Sequence, residues 1–108
     1  MTIAYRHPMV AAVLLALGAC AHSDMRAPDD GLGGHSCAGA IVIDAKDERA
    51  GIEAEHDWLN LNFPGARLVN QSLLQCERGP ADLMELELPD GSKRAVYFDI
   101  GAFFGKWG

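Results

Sequence analysis

Three stretches with different hydrophobic patterns follow one another along the chain. Residues 9–19 (MVAAVLLALGA) are eleven positions without a charged side chain, and most of them are apolar. Residues 21–36 (AHSDMRAPDDGLGGHS) are polar, contain several glycines and prolines, and show no period. In the remainder of the chain, apolar and polar positions recur with the periods of strands and of a helix. The pattern therefore predicts three segments: a removable leader at 1–19, a flexible tether at 20–36 and one folded domain at 37–108.

The folded domain is predicted to begin with a short strand and an amphipathic helix. The β-branched run at residues 40–43 is typical of a strand. Residues 47–62 (DERAGIEAEHDWLNLN), projected at about 100° per residue, separate into a polar and an apolar side. The apolar side carries Ile52, His56, Leu59 and Phe63. Asp44 or Asp47 caps this helix, because a carboxylate there accepts hydrogen bonds from the first backbone N–H groups.

Three further strands are predicted at residues 67–76, 83–88 and 94–100. A three-residue loop with Gly91 in the left-handed conformation joins the last two as a bulged hairpin. This register places Leu86 opposite Arg94. It gathers the apolar side chains on one face: Met84, Leu86, Leu88, Val96, Phe98 and Ile100. The other face carries Glu85, Glu87, Lys93, Tyr97 and Asp99. A two-residue loop would mix the faces, because side chains alternate along a strand.

The predicted fold class is α+β, with one helix packed on a small antiparallel sheet in the order β-α-β-β-β. The helix covers the apolar face of the sheet, and the other face meets solvent. This order of elements is similar to that of cystatin-like and related small α+β folds. Such a similarity concerns the fold and carries no function with it.

The first nineteen residues have the parts of a secretory signal peptide. Arg6 gives the short first part a positive charge, residues 9–19 supply the apolar part, and small residues close it. A membrane-spanning helix needs about 20 apolar residues, so this run is too short to cross a bilayer. The alternative is a buried core helix, but such a helix has a polar face that this run lacks.

Leu17-Gly18-Ala19-Cys20 resembles the lipobox of bacterial lipoproteins, in which one branched and two small residues precede a cysteine. The resemblance points to a small bacterial lipoprotein. It implies cleavage before Cys20, lipidation of the Cys20 sulfur and acylation of its new amine. Several acyl chains anchor a protein stably to a membrane. Ala21 in place of an aspartate implies the outer membrane, with the domain facing the periplasm. Ordinary cleavage after Ala19 or Ala21, which would release a soluble protein, is the alternative.

Cys37 and Cys76 remain once Cys20 carries lipid. An even number of cysteines in an exported chain predicts one disulfide, because the compartment is oxidising. In the chain-entropy model, closing a loop of about 40 residues contributes roughly 4 kcal/mol to stability. A pair of free or metal-binding thiols is the alternative.

Charge narrows the classes of partner. Removing Arg6 from the nine basic residues leaves eight against fifteen acidic ones, a formal charge of −7 after cleavage. A negative protein repels phosphate backbones and anionic lipid headgroups. We therefore expect no nucleic-acid partner, and we expect the membrane contact to run through the lipid anchor alone.

Residues with catalytic or metal-binding chemistry are scattered along the chain. Ser72 lies within a predicted strand, and no serine lies in a G-x-S-x-G elbow. His56 lies on the predicted apolar side of the helix, a position typical of a core histidine. Glu85 and Glu87 lie about 7 Å apart on one strand face. Glycosidase pairs use a similar spacing, but both residues fit the polar face of a strand. We therefore predict no catalytic residue, no metal site and no cofactor.

The last eight residues, GAFFGKWG, include three aromatic side chains. They either complete the core or contribute to a binding patch of Tyr97, Phe103 and Trp107. The predicted function is a non-enzymatic cell-envelope lipoprotein whose tethered domain binds a protein partner or a wall glycan. The alternative is a periplasmic inhibitor of a lysozyme or protease, with residues 89–92 or the C-terminus as its contact. A small hydrolase that uses His56 is a third hypothesis.

Overall fold

The structure is a computed structural model that describes residues 30–108. The predicted signal peptide and the lipidation site Cys20 lie outside the described residues. The elements along the described part are β1 (Ile41–Val42), α1 (Glu48–Asn62), β2 (Arg67–Cys76), β3 (Gly79–Glu87) and β4 (Lys93–Asp99). The predicted α+β class and the order β-α-β-β-β are confirmed.

The four strands form one mixed sheet in the spatial order β1-β4-β3-β2. The three long strands are antiparallel, as predicted, whereas β1 pairs in parallel with β4 and sets Ile41 opposite Phe98. The parallel pair follows from the helix, because a strand–helix–strand connection returns the chain in its original direction. β1 and β2 therefore run the same way, and β4, which follows two reversals after β2, runs that way too. The predicted antiparallel sheet is thus corrected at its two-residue first strand.

The hairpin between β3 and β4 has the predicted register. Met84 lies opposite Val96, and Leu86 lies opposite Arg94. The N–H of Gly91 donates to the carbonyl of Leu88 at 2.8 Å, and the φ of Gly91 is 88°. This positive φ is one that glycine adopts without steric cost, so Gly91 suits the bulge position of the turn.

Asp47 begins α1 as its N-cap, one of the two predicted positions. Its side-chain Oδ1 accepts a hydrogen bond from the N–H of Ala50 at 2.9 Å. The helix ends where the N–H of Phe63 donates to the carbonyl of Leu59 at 2.8 Å. Pro64 follows, and a proline lacks the N–H that another helical turn requires.

The buried face of α1 lies one position earlier than predicted in the first two turns of the helix. Gly51, Glu55 and Leu59 are buried, whereas Ile52 is 46% exposed and His56 is exposed. The predicted placement of Ile52 and His56 on the core side is therefore wrong. Leu59 lies on both the predicted and the observed buried face. The helix itself was therefore predicted, and only its rotation about its axis was wrong.

Gly51 faces the core because the ring of Phe103 fills the space that a side chain would occupy. A Cβ atom at Gly51 would lie 2.5 Å from ring carbons of Phe103. Neither a glycine nor a glutamate contributes to an apolar period, so the hydrophobic pattern alone favours the neighbouring stripe with Ile52.

The core lies between α1 and one face of the sheet. Its buried hydrophobic residues are Ile43, Leu59, Met84, Leu86, Val96, Phe98, Ile100 and Phe103. Of the six residues predicted to share the apolar sheet face, Leu88 is partly buried and the others are fully buried. Trp58 of α1 contacts Phe98 edge-on, with ring centroids 5.5 Å apart. The C-terminal segment therefore folds back and completes the core through Phe103.

Residues 30–36, which the sequence assigns to a flexible tether, lie against the sheet. The N–H of Tyr97 donates to the carbonyl of Gly34 at 2.8 Å, and Gly34 is buried. Asp30 forms an ion pair with Arg94 of β4, with Oδ2 2.8 Å from Nε. The described domain therefore begins before the predicted boundary. Sequence pattern does not reveal this packing, because glycines and an aspartate give no apolar period.

The predicted disulfide between Cys37 and Cys76 is present, with 5.7 Å between their Cα atoms. Cys76 is the last residue of β2, the strand at one edge of the sheet. The disulfide therefore joins the end of that edge strand to the segment that precedes β1.

Candidate functional site

One exposed apolar surface lies on the outer side of α1 and is called the helix surface. Trp107 is 84% exposed and lies beside Ile52, which is 46% exposed. Together with Glu48, Arg49 and Glu53 they line an open cleft of about 440 Å³. A large aromatic side chain left exposed beside a second apolar side chain is typical of a contact site.

The C-terminal segment is held against α1 by two backbone contacts in addition to Phe103. The N–H of Glu48 donates to the carbonyl of Lys106 at 2.7 Å, and the N–H of Gly105 donates to a carboxylate oxygen of Glu48 at 2.7 Å. Both contacts lie in the first turn of α1, where helix N–H groups have no partner within the helix. Trp107 is thereby held at the start of the helix.

The charges around the helix surface are acidic on balance. Glu48 and Glu53 face Arg49, and Arg49 forms an exposed pair with Glu53 at 3.8 Å. Such an exposed pair within a helix contributes only a few tenths of a kcal/mol, about 0.3–0.5. The surface therefore combines an apolar centre with a charged rim in which Glu48 is bonded to the C-terminal segment and Arg49 and Glu53 form a weak exposed pair.

The predicted patch of Tyr97, Phe103 and Trp107 does not exist as one surface. Phe103 is 1% exposed and belongs to the core. Tyr97 lies opposite Leu83 in the ladder, on the sheet face turned away from α1. Only Trp107 of the three lies on the helix surface, and its neighbour Ile52 is a residue that the sequence assigns to the core.

A second exposed apolar surface lies on β2 and is called the strand surface. It consists of Leu68, Val69 and Leu73, which are 37%, 41% and 58% exposed. β2 is the outermost strand, and in the described part of the chain it pairs only with β3. Its outer backbone edge therefore has no paired strand among the described residues, and only its last residue, Cys76, is joined to another segment, at Cys37.

Glu55 is a fully buried carboxyl under α1 that the sequence pattern does not single out. Its exposed fraction is 0%, and both of its carboxyl oxygens are shielded from water. Burial, and then the nearby carboxylates of Asp82 and Glu48, raises the pKa of Glu55 to about 9. Asp82 faces the helix because it lies opposite core residue Phe98. Glu55 is therefore protonated at neutral pH, and its burial keeps it out of reach of a dissolved substrate.

Arg94 is the second buried charged residue, and it is fully partnered. Its Nη2 donates to Asp30 at 2.9 Å and to the carbonyl of Gly33 at 2.7 Å. Its guanidinium also lies 5.1 Å from the ring centroid of Phe63. The Arg94 guanidinium holds the pKa of Asp30 well below its usual range. These contacts fasten the N-terminal segment to the sheet.

The glutamates considered for catalysis form ion pairs and hydrogen bonds across the polar sheet face. Glu85 accepts a hydrogen bond from Asn70 at 2.7 Å. Glu87 pairs at 3.2 Å with Lys93, which lies opposite it in the ladder, and also with Arg67. Arg67, and then Lys93, lowers the pKa of Glu87. Within residues 30–108, no three His, Cys, Asp or Glu side chains converge as metal ligands do.

No family model, curated protein or solved structure matches this chain. Among the described helices, none has both the length and the apolar character needed to cross a bilayer.

Proposed function

We propose that this protein is a non-enzymatic cell-envelope lipoprotein whose domain binds a protein partner through the helix surface. The observation that carries the proposal is Trp107, which is 84% exposed although backbone contacts hold its segment in place. Trp residues buried by a partner are frequent hot spots of binding energy. An exposed Trp beside Ile52, on a segment bonded to the helix through Gly105 and Lys106, is placed for such a contact.

Two features support a location in the cell envelope. Leu17-Gly18-Ala19-Cys20 directly follows the apolar run, as a lipobox does. The disulfide between Cys37 and Cys76 suits an oxidising compartment rather than the cytosol. On this proposal Cys20 carries the lipid, the anchor lies in the outer membrane, and the domain faces the periplasm.

The charged side chains around the helix surface indicate which charge the partner carries. Glu48 and Glu53 outnumber Arg49 there, and the chain after cleavage carries a formal charge of −7. A partner with apolar groups ringed by basic side chains complements this surface. A wall glycan that stacks a sugar ring on Trp107 is the other ligand compatible with an exposed aromatic.

The test of the binding surface is crosslinking of the full chain in intact cells. We expect Trp107→Ala to reduce the yield of the main crosslinked partner at least tenfold, because it removes the central aromatic contact. Leu61→Ala is the matched control, since Leu61 is 80% exposed on α1 but does not line the cleft. Equal yields from wild type and the Trp107→Ala variant would overturn the proposed surface.

The test of the anchor is mass spectrometry of the membrane-bound protein. We expect the mature chain to begin at Cys20 and to carry a diacylglyceryl mass, which Cys20→Ser abolishes. A mature chain that begins elsewhere without lipid would contradict the anchor. That outcome would leave the helix surface open to the crosslinking test.

The alternative function, inhibition of a lysozyme or protease, is favoured by one observation at the β3–β4 turn. Asp90 accepts hydrogen bonds from the N–H of Ser92 at 2.9 Å and from its Oγ at 2.6 Å. These bonds lower the pKa of Asp90. They also hold an exposed loop in one conformation, as an inhibitory loop requires. Inhibition that is lost when Asp90→Ala is introduced would favour this function over the helix surface.

A further inference from the structure

β2 leaves one long backbone edge of the sheet open. It has ten residues, whereas β1 at the opposite edge has two. At about 3.3 Å per residue, β2 offers an edge some 33 Å long. Residues 30–34 lie along the short edge, where the carbonyl of Gly34 accepts from Tyr97 of β4 at 2.8 Å, and the chain then crosses to the far end of β2 at the disulfide between Cys37 and Cys76. The open edge at β2 is therefore the side of the sheet on which a further strand can add.

The usual protections of an edge strand are absent from most of β2. Natural edges carry charged side chains or prolines that discourage pairing with another chain. Residues 68–76 (LVNQSLLQC) include neither. One bulge occurs, between Leu68 and Asn70 near the start of the strand. The seven residues from Asn70 to Cys76 pair regularly with β3 and are suited to pairing on their outer side as well.

Charge points to a second copy of the same chain as the occupant. The chain is acidic overall, with a formal charge of −6, so two copies repel each other over most of their surfaces. The uncharged stretch at residues 68–76 is where two identical chains approach with least repulsion. A pairing of identical strands needs no complementary charge, and β2 offers none.

We propose that β2 pairs antiparallel with β2 of a second copy, which joins the two sheets into one of eight strands. A two-fold axis at Leu73 sets this residue opposite Leu73 of the second copy. The same register sets Gln71 opposite Gln75 and Ser72 opposite Leu74. In this register, side chains that lie on one face of the first sheet meet side chains on the same face of the second, because side chains alternate along a strand.

The side chains of β2 favour the axis at Leu73 over its neighbours. Gln71 lies opposite Met84 and Leu73 opposite Asp82, so both side chains lie on the α1 side of the sheet. An axis at Leu73 joins two half-exposed leucines and pairs the Gln71 and Gln75 amides, which can hydrogen-bond to each other. An axis at Ser72 would instead set Gln71 against Leu73. An axis at Gln71 would bring the bulge into the paired region.

The test is the oligomeric state of the purified full chain in detergent, measured by sedimentation over a range of concentrations. Wild type is expected to form a dimer that dissociates on dilution. Leu73→Glu is expected to weaken the dimer by about 100-fold, because it removes an apolar pair and sets two like charges opposite each other. Leu73 is 58% exposed but lies opposite Asp82 in β3, so urea denaturation of each variant checks that the monomer is folded.

Two variants with opposite charges at residue 73 show whether a lost dimer reflects the proposed pairing or only a change in the monomer. Leu73→Lys alone is expected to be monomeric, whereas a mixture of the Leu73→Glu and Leu73→Lys variants is expected to form a dimer again. Leu61→Glu, an equally polar change at an exposed leucine of α1, is expected to leave the dimer intact. A monomeric wild type, a dimeric Leu73→Glu variant or a mixture that stays monomeric would each overturn the proposal.

Discussion

The helix surface and the strand surface expose similar apolar side chains in different charge environments. Trp107 and Ile52 on the helix surface are ringed by Glu48, Arg49 and Glu53. The strand surface has no charged residue from 68 to 76. A charged rim selects a partner of complementary charge, whereas an uncharged edge accepts an identical strand. The charges around each apolar contact therefore distinguish the two partners that we propose.

The two surfaces also rest on different supports. The strand surface lies on a strand whose end is fixed by the disulfide at Cys76. The helix surface lies on a helix that covers the buried carboxyl of Glu55 and packs through Gly51 on Phe103. Reduction of the disulfide should therefore weaken contacts at the strand surface first. Changes in pH or in core packing should first weaken contacts at the helix surface.

The largest expected effect comes from removing the disulfide. Replacing Cys37 and Cys76 together by serine should lower the free energy of unfolding by about 4 kcal/mol, because the unfolded chain regains the freedom of a loop of about 40 residues. Urea denaturation of the full chain without reductant measures this. At a temperature where the variant is folded, we expect its dimer to weaken more than its binding through the helix surface. Equal stability of variant and wild type would show that the disulfide does not support the fold.

The next effect is a pH dependence that belongs to Glu55. Its pKa is about 9 in the folded domain against an ordinary value of 4.5, so the folded state binds the proton more tightly. This contribution to stability is complete below pH 4.5 and is lost as the pH rises toward 9. The loss between pH 4.5 and pH 7 should be on the order of 3 kcal/mol.

Urea denaturation at several pH values measures this loss, and two variants assign it. Glu55→Gln should abolish the pH dependence above pH 4.5, because the amide mimics the protonated carboxyl. Glu53→Gln, at an exposed position of the same helix, should retain it. A pH dependence that is unchanged in Glu55→Gln would mean that another group titrates.

A smaller effect is expected at Gly51. Glycine to alanine usually stabilises a helix by about 1 kcal/mol. Here the added Cβ would lie 2.5 Å from the ring of Phe103. We therefore expect Gly51→Ala to destabilise the domain by about 2 kcal/mol, the usual size of an overpacking effect. It should weaken binding at the helix surface and leave the dimer formed.

Thermal unfolding followed by the fluorescence of Trp58 and Trp107 measures this change. His56→Ala is the control, because His56 is exposed on the same helix. An increase in stability for Gly51→Ala would show that Phe103 does not pack against the helix as described.

The smallest expected effect concerns the ion pair at the start of β2. Arg67→Ala should leave the free energy of unfolding unchanged within the error of denaturant titration, because an exposed pair contributes little. The pKa of the Glu87 carboxyl should nevertheless rise toward its ordinary value, since Arg67 is the main cause of its lowering. An NMR titration of Glu87 measures this shift. An Arg67→Ala variant that loses the dimer would show that charge contributes to the strand surface.

Sequence pattern predicted the pairing of β3 with β4 because the residue type at each position shows whether its side chain faces the core or solvent. In the hairpin, apolar and charged residues alternate on both strands, so only one register separates them. Leu86 opposite Arg94 was part of that prediction. The partner of Arg94, Asp30, was not predicted, because it lies 64 residues away in a stretch without any period.

Sequence pattern predicted the existence of the helix but not its orientation. Gly51 and Glu55 lie on the core side, and neither has an apolar side chain to reveal it. The resulting rotation moved Ile52 into the predicted core and away from Trp107. The binding patch was consequently predicted with Tyr97 and Phe103 as the neighbours of Trp107, whereas the fold supplies Ile52. Because a glycine and a protonated glutamate set the orientation of this helix, the orientation can be read only from the tertiary structure.

The most direct test of two surfaces with separate partners is photocrosslinking in intact cells. A photoreactive phenylalanine is introduced into the full chain at residue 73 or at residue 107. From residue 73 we expect a product of twice the chain mass that contains only this chain. From residue 107 we expect a product with a different protein. The same product from both positions would contradict these expectations.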